Sequence, residues 1–257
     1  MTNDPYFIDF PGRIKAIQRE MAVDGIDVYL GSRLRTMSWT TDAFFPWRSY
    51  IVIPAEGLPT AFTFVIDAAR AADESWLDSD HVLGFAPMGG QDQITAISDL
   101  ILHHLKGKKG VVGVEAGMSN YLPEGNLTHF EYQAFEAALP GIKLVNALDI
   151  VDRLSVIKDE GTINRFRKAG LMADAGHVAV LNAIKNGGFK KYTETEIAGI
   201  AAMAMREAGS TWEWSFTGGN EIASGYRTGL MGGACTPPTD RKLQAGEPLM
   251  VDLHSTF

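Results

Sequence analysis

The sequence predicts two domains in tandem: a layered α/β domain over residues 1–150, then an α+β domain over residues 151–257. Two observations lead there. Up to residue 150, segments of helical period alternate with short apolar runs set off by Gly or Pro, the pattern of helices layered on a central sheet. After Asn146 the texture changes to two long amphipathic stretches, with strands expected at residues 212–217 and 249–253.

Taken in order, Pro11 can open a helix in which Ile14, Ile17 and Met21 share one face, and Gly25 can end it. Strands are expected at residues 26–30, 50–53, 60–65, 82–86, 111–115 and 142–145. Helices are expected between them at residues 67–76, 91–105 and 127–139. His103 and His104 close one of these and favour its negative end. Beyond residue 150, apolar or small residues at Ile163, Phe166, Gly170, Ala173, His177, Val180 and Ile184 fit one helix, with Asp159 as N-cap and Gly187-Gly188 as stop. His177 on that face reads as a satisfied core histidine. Thr193 and Glu196 form a capping box for a second helix that ends near Gly209.

Composition narrows the function classes. With 46% hydrophobic and 21% charged residues the chain is globular in type. A net charge of -8 argues against a nucleic-acid or anionic-membrane surface, which needs clustered Lys and Arg. Cys235 is the single cysteine, the N-terminal residues lack a secretory pattern, and no run approaches the length of a membrane span. A cytoplasmic location is the expectation.

The chemistry concentrates near residue 252. A turn at Gly246 leads into Leu249, Met250 and Val251, so Asp252 is expected on a strand where water is scarce. A carboxylate there needs a hydrogen-bond network or a bound cation, and one Asp alone cannot hold a cation. On a strand, residues 252 and 254 share a side, so His254 would point where Asp252 points.

The stretch LSVIKDEGTINRFRKA (residues 154–169) resembles the linker and first catalytic helix of the creatinase, aminopeptidase P and prolidase family. The stretches FTGGN (216–220), KLQAG (242–246) and Val251-Asp252 are similar to that family's first catalytic strands. The resemblance implies a creatinase-like α/β N-terminal domain followed by an incomplete α+β pita-bread domain. It also implies two divalent ions, manganese first among them, with Asp252 matching the first metal-binding Asp and the remaining ligands lying beyond Phe257. On that basis the chain alone is expected to hold neither ion tightly and to be inactive. Cys235 stands where the family has a histidine that serves the substrate, and His254 stands where it has Gly. Arg48, in FPWRSY (45–50), is similar to an arginine that creatinase presents across a homodimer to a substrate carboxylate, and Arg227 could line the same pocket. The implied activity is hydrolysis of a peptide or small amide C–N bond. The alternatives are a metal-free creatinase-like amidinohydrolase and a non-catalytic, truncated subunit.

Overall fold

In the computed structural model, which describes residues 4–86, 93–118, 124–212, 219–233 and 236–257, the chain forms two units. One is Asp9–Ile157; the other is Lys158–Phe257 together with residues 4–8. The division lies beyond the expected boundary near residue 150 because Ile150 and Val151 are fully buried in the core of the first unit.

The first unit opens with helix α1 (Phe10–Asp24). The Asp9 side chain caps it by accepting from the Gly12 N–H at 2.9 Å, and Gly25 ends it at φ 67°. The buried side is Phe10, Ile14, Ile17 and Met21, the face expected from the spacing. Six strands follow: β1 (Val28–Gly31), β2 (Tyr50–Pro54), β3 (Thr60–Phe64), β4 (Val82–Phe85), β5 (Val111–Val114) and β6 (Lys143–Asn146). They form one mixed sheet in the order β4-β3-β2-β1-β5-β6. β2 runs antiparallel to both neighbours, and the other pairings are parallel.

Side-chain alternation divides β2 between two cores. Ile51 and Ile53 join Ile17 and Met21 on one face, while Tyr50 and Val52 join Ile97, Ile101 and Phe135 on the other. The second layer comes from α4 (Gln93–Leu105) and α5 (His129–Ala138). With both faces covered, every β2 residue is buried. Helix α3 (Val65–Glu74) packs along β4.

Two short helices, α2 (Leu34–Thr41) and α6 (Asp149–Ser155), are tied down by one buried carboxylate and its partner. Glu115, just past β5, accepts from Tyr29 OH at 2.8 Å, Ser32 N at 2.6 Å, Arg33 N at 2.7 Å and Arg33 Nε at 2.9 Å. Thr36 Oγ1 completes the set. Arg33 then reaches Asp152 Oδ2 at 3.0 Å and the Leu148 carbonyl at 2.7 Å, so an ion pair of 1% and 0% exposure ties β1, β5, α2 and α6 together. Burial, followed by the Glu115 charge and hydrogen bond, pushes the Tyr29 hydroxyl well above its usual range.

The second unit is built on α7 (Glu160–Ile184) and α8 (Glu194–Glu207). Asp159 caps α7, accepting from Thr162 N at 2.7 Å, and the Thr193–Glu196 capping box opens α8. Helix α7 ends at Ile184, ahead of the expected glycine stop, because Asn186 already takes a left-handed conformation at φ 56°. Its buried stripe is Met172, Gly176 and Val180, and His177 is exposed with Nδ1 against the Ala173 carbonyl at 2.9 Å. This corrects the core reading of His177. The close approach occurs at Gly176, where a Cβ would lie 2.8 Å from Leu253 Cδ1 and 2.9 Å from Met205 Cγ.

Strands β7 (Glu221–Ser224) and β8 (Leu249–Asp252) make an antiparallel ribbon whose Ile222 packs with Ile197, Ala201 and Val180. Most of the strand expected at residues 212–217 lies outside the described residues. Residues 4–8 run beside the start of α7: Pro5 and Tyr6 carbonyls accept from Asn164 Nδ2 at 2.9 Å and Arg165 Nε at 3.1 Å. Among the described residues no helix is long and apolar enough to cross a membrane.

Candidate metal centre

The ribbon register sets Glu221 directly opposite Asp252. Glu221 is 3% exposed, and its Oε2 accepts from Thr236 N at 3.0 Å, which fixes the carboxylate's orientation. His254 lies two residues past the end of β8, and its N–H donates to Asn220 Oδ1 at 2.8 Å, clamping the end of one strand to the start of the other. The His254 Nε2 atom is then 3.7 Å from Asp252 Oδ1, beyond hydrogen-bond reach. Glu221, Asp252 and His254 each offer a ligand atom, all within 4.8 Å of one another.

Two findings correct the sequence-based picture. Asp252 is not in a water-poor setting: its side chain is 53% exposed, because a two-stranded ribbon leaves one face of β8 uncovered. It is also not the lone carboxylate, since Glu221 stands across from it. Cys235, at the family's histidine position, lies outside the described residues.

The arrangement fits a divalent cation. His254 Nε2 is shielded from solvent and has no hydrogen-bond partner among the described residues, and a buried polar nitrogen in that state asks for an explanation. Two carboxylates brought this close repel each other, less so where Asp252 meets solvent. A cation among the three groups answers both. Two carboxylates and an imidazole are a donor set suited to manganese, iron, cobalt or zinc.

The second unit holds another buried carboxylate with a different character. Glu194 accepts from Ser224 N and Oγ at 2.8 Å each, Thr239 Oγ1 at 2.7 Å, Thr239 N at 3.1 Å and Arg227 Nε at 3.0 Å. Burial opposes its charge, but the Thr239 and Ser224 hydrogen bonds outweigh burial and hold it below the ordinary carboxylate range. Arg227 also donates to the Pro237 carbonyl at 2.7 Å, so its guanidinium ties the 3-10 segment after β7 to the loop leading to β8.

Arg48, in the first unit, is engaged along its whole fork. It grips Glu131 through Nε and Nη2, each at 2.7 Å, donates to the Gly125 carbonyl at 2.5 Å, and lies 4.8 Å over the Tyr50 ring. Glu131 also serves the capping box of α5, so this network orders a helix start.

With this geometry established, residues 13–157 match the Creatinase/Prolidase N-terminal domain model and residues 164–257 match Metallopeptidase family M24. The chain belongs to the creatinase/prolidase family, as an N-terminal creatinase domain followed by part of a pita-bread domain. The ectoine hydrolase of Halomonas elongata is 27% identical over 197 residues, covering 74% of this chain and 48% of that protein. Among solved structures, the Xaa-Pro dipeptidase from Bacillus anthracis superposes with a TM-score of 0.71 at 18% identity, covering 96% of this chain and 61% of that one. The prolidase from Thermococcus sibiricus gives a TM-score of 0.73 at 16% identity, covering 98% and 63%. The chain spans about half the length of the curated relatives it matches.

Proposed function

We propose that the protein is a metal-dependent hydrolase that cleaves the C–N bond of a small peptide or amide, with Xaa-Pro dipeptides as the first substrate class. One observation supports this above the rest: within the segment matched to family M24, Asp252 and His254 stand with Glu221 at ligand spacing. A divalent ion held there supplies Lewis-acid polarisation of the scissile carbonyl and acidifies water.

The residues of the chain have separate tasks in this reading. Asp252 and His254 hold metal, in a complete site that takes two divalent ions, manganese first. Cys235 occupies the position of the family's substrate-serving histidine and is the group closest in sequence to proton traffic at the substrate. Arg48 and Arg227 are the forked donors for a substrate carboxylate in this reading, Arg48 from the other subunit of a homodimer; each would have to exchange its present carboxylate partner, Glu131 or Glu194, for the substrate's. The setting is cytoplasmic. The identity with ectoine hydrolase favours ectoine as a second substrate to assay.

The chain alone is expected to be inactive because the resemblance puts the remaining metal ligands beyond Phe257; Glu221 adds a carboxylate that this expectation did not count, so the reading is tested on the 257-residue chain. The expected result is manganese-dependent hydrolysis of an Xaa-Pro dipeptide or of ectoine, lost with chelator and in Asp252→Asn. Turnover that survives chelation favours a metal-free amidinohydrolase. Ion binding with no turnover of either substrate overturns the hydrolase reading in favour of a non-catalytic subunit.

A further inference from the structure

We infer that the outward face of α7 is an interface between two copies of this chain, packed antiparallel about a two-fold axis that passes between Gly170 and Leu171. Such a surface would exist whether or not the protein is a hydrolase. Helix α7 buries Gly161, Met172, Gly176 and Val180 on its inner side. On the other side Leu171, Val178 and Leu181 are 65%, 55% and 61% exposed, a run of large apolar side chains on one helix face that marks an interaction surface. At 3.6 residues per turn, Ile163, Arg167, Gly170, Leu171, Asp174 and Val178 fall within about 100° of the helix circumference. At the middle of this face Gly170 is exposed, and a Cβ built on it would meet nothing within 4 Å.

The face is complementary to itself. In a two-fold contact, residue i meets residue j while j meets i. With the axis between Gly170 and Leu171, Arg167 faces the partner's Asp174, Ile163 faces the partner's Val178, and Leu171 lies over the partner's Gly170, where the missing side chain lets the helix axes approach. Each contact occurs twice. Charge selects this direction, because a parallel pairing would set Arg167 against Arg167 and Asp174 against Asp174. Both charged groups have capacity for the contact. Asp174 is exposed and has no hydrogen bond or ion pair among the described residues. Arg167 engages Glu160 Oε1 at 3.1 Å and Asn164 Oδ1 at 2.9 Å through Nη1 alone, which leaves Nε and Nη2 for a second carboxylate. The apolar contacts from Ile163 to Val178 span about 22 Å of helix and carry the affinity, while the charge pairs fix the register.

The experiment is sedimentation equilibrium on the 257-residue chain from about 1 to about 200 μM, where a monomer–dimer equilibrium is expected. Arg167→Asp alone, or Asp174→Arg alone, turns both attractions into like-charge contacts and should raise the dimer Kd by about tenfold or more. The two changes together restore opposite charges across the axis and should bring Kd back to within about threefold of wild type. Leu171→Glu places a charge against the partner's Gly170 and should leave the chain monomeric over the whole range. Circular dichroism checks that each variant is folded. If Arg167→Asp is not, having lost its tie to Glu160, then Asp174→Arg and Leu171→Glu carry the test. A wild-type chain that stays monomeric at the top of the range overturns the inference. So does a dimer whose Kd is unchanged by Leu171→Glu, which would associate through another surface. Single charge variants with unchanged Kd, or a double variant that does not recover, overturn the antiparallel register and the inference with it.

Discussion

Glu221 and Asp252 are cross-strand partners, one almost fully buried and the other half exposed, on a ribbon of two four-residue strands. A ligand bound between them therefore acts on ribbon stability as well as on chemistry. At an ion concentration of about 100 times Kd, linkage gives about 2.7 kcal/mol of stabilisation. Differential scanning fluorimetry should show a Tm that rises with Mn2+ and falls with chelator. His254→Ala should abolish most of that shift.

Gly176 bears on the same site through packing. Its missing side chain admits Leu253 and Met205, and Leu253 lies between Asp252 and His254 in the chain. Gly176→Val should cost about 1–3 kcal/mol by overpacking and should also reduce ion affinity, because Leu253 must shift. Urea unfolding alongside calorimetric titration of Mn2+ measures both effects. A stability loss with unchanged affinity would show that the ribbon end is insulated from α7.

In the first unit the Arg33–Glu115 pair carries the burial and the hydrogen bonds that make breaking such a pair expensive. Arg33→Met should destabilise the protein by about 3–5 kcal/mol by leaving Glu115 without its cation. A matched change at both positions, Arg33→Met with Glu115→Gln, should recover part of the loss. Denaturant midpoints across this double-mutant cycle read the coupling directly.

The Glu194 cluster predicts an acid limb in the stability curve. Its carboxyl is held below the ordinary value of 4.5 in the folded state. The unfolded chain therefore takes up its proton first as pH falls, and the stabilisation is present above pH 4.5 and lost as pH drops through the folded value. Glu194→Gln should flatten the pH dependence of the urea midpoint in that window while lowering stability at neutral pH. A parallel downward offset with the same slope would assign the acid limb to other groups.

Which parts were legible in the sequence follows from where the information lies. Helix α1 announced itself because Pro11, an apolar face at every third or fourth position and Gly25 all agree. The Thr193–Glu196 capping box did the same for α8. Helix α2 went unseen because its buried face is mainly threonine: Thr36, Thr40 and Thr41 lie beside Met37, with Thr40 Oγ1 bonding the Thr36 carbonyl at 2.6 Å and Thr41 Oγ1 the Met37 carbonyl at 2.7 Å. Buried hydroxyls satisfied by their own helix look polar in a hydropathy pattern. The α7 stripe was misphased onto His177 because small residues occur on several of its faces, and only the partner helix shows which are covered.

At the candidate metal centre, Asp252 was singled out by the family resemblance and His254 by strand alternation from it. Glu221 was not. A four-residue strand carries no periodic signal, and what identifies Glu221 is its register against Asp252, a long-range pairing that local sequence does not encode. The adjoining Asn220 offers a signal in retrospect, since a short polar side chain beside a strand end is suited to capturing a main-chain N–H such as that of His254.

The opening residues belong, in three dimensions, with the far part of the chain. The Phe7 carbonyl sits where a Cβ on residue 161 would be only 2.0 Å away, and Pro5 and Tyr6 take up side chains of Asn164 and Arg165. In effect the sheet-bearing unit is an insert spliced into its neighbour. A recombinant piece beginning at Lys158 would leave behind the short peptide that shields the first turn of α7, and supplying residues 4–8 as a separate synthetic peptide should restore what the cut removed.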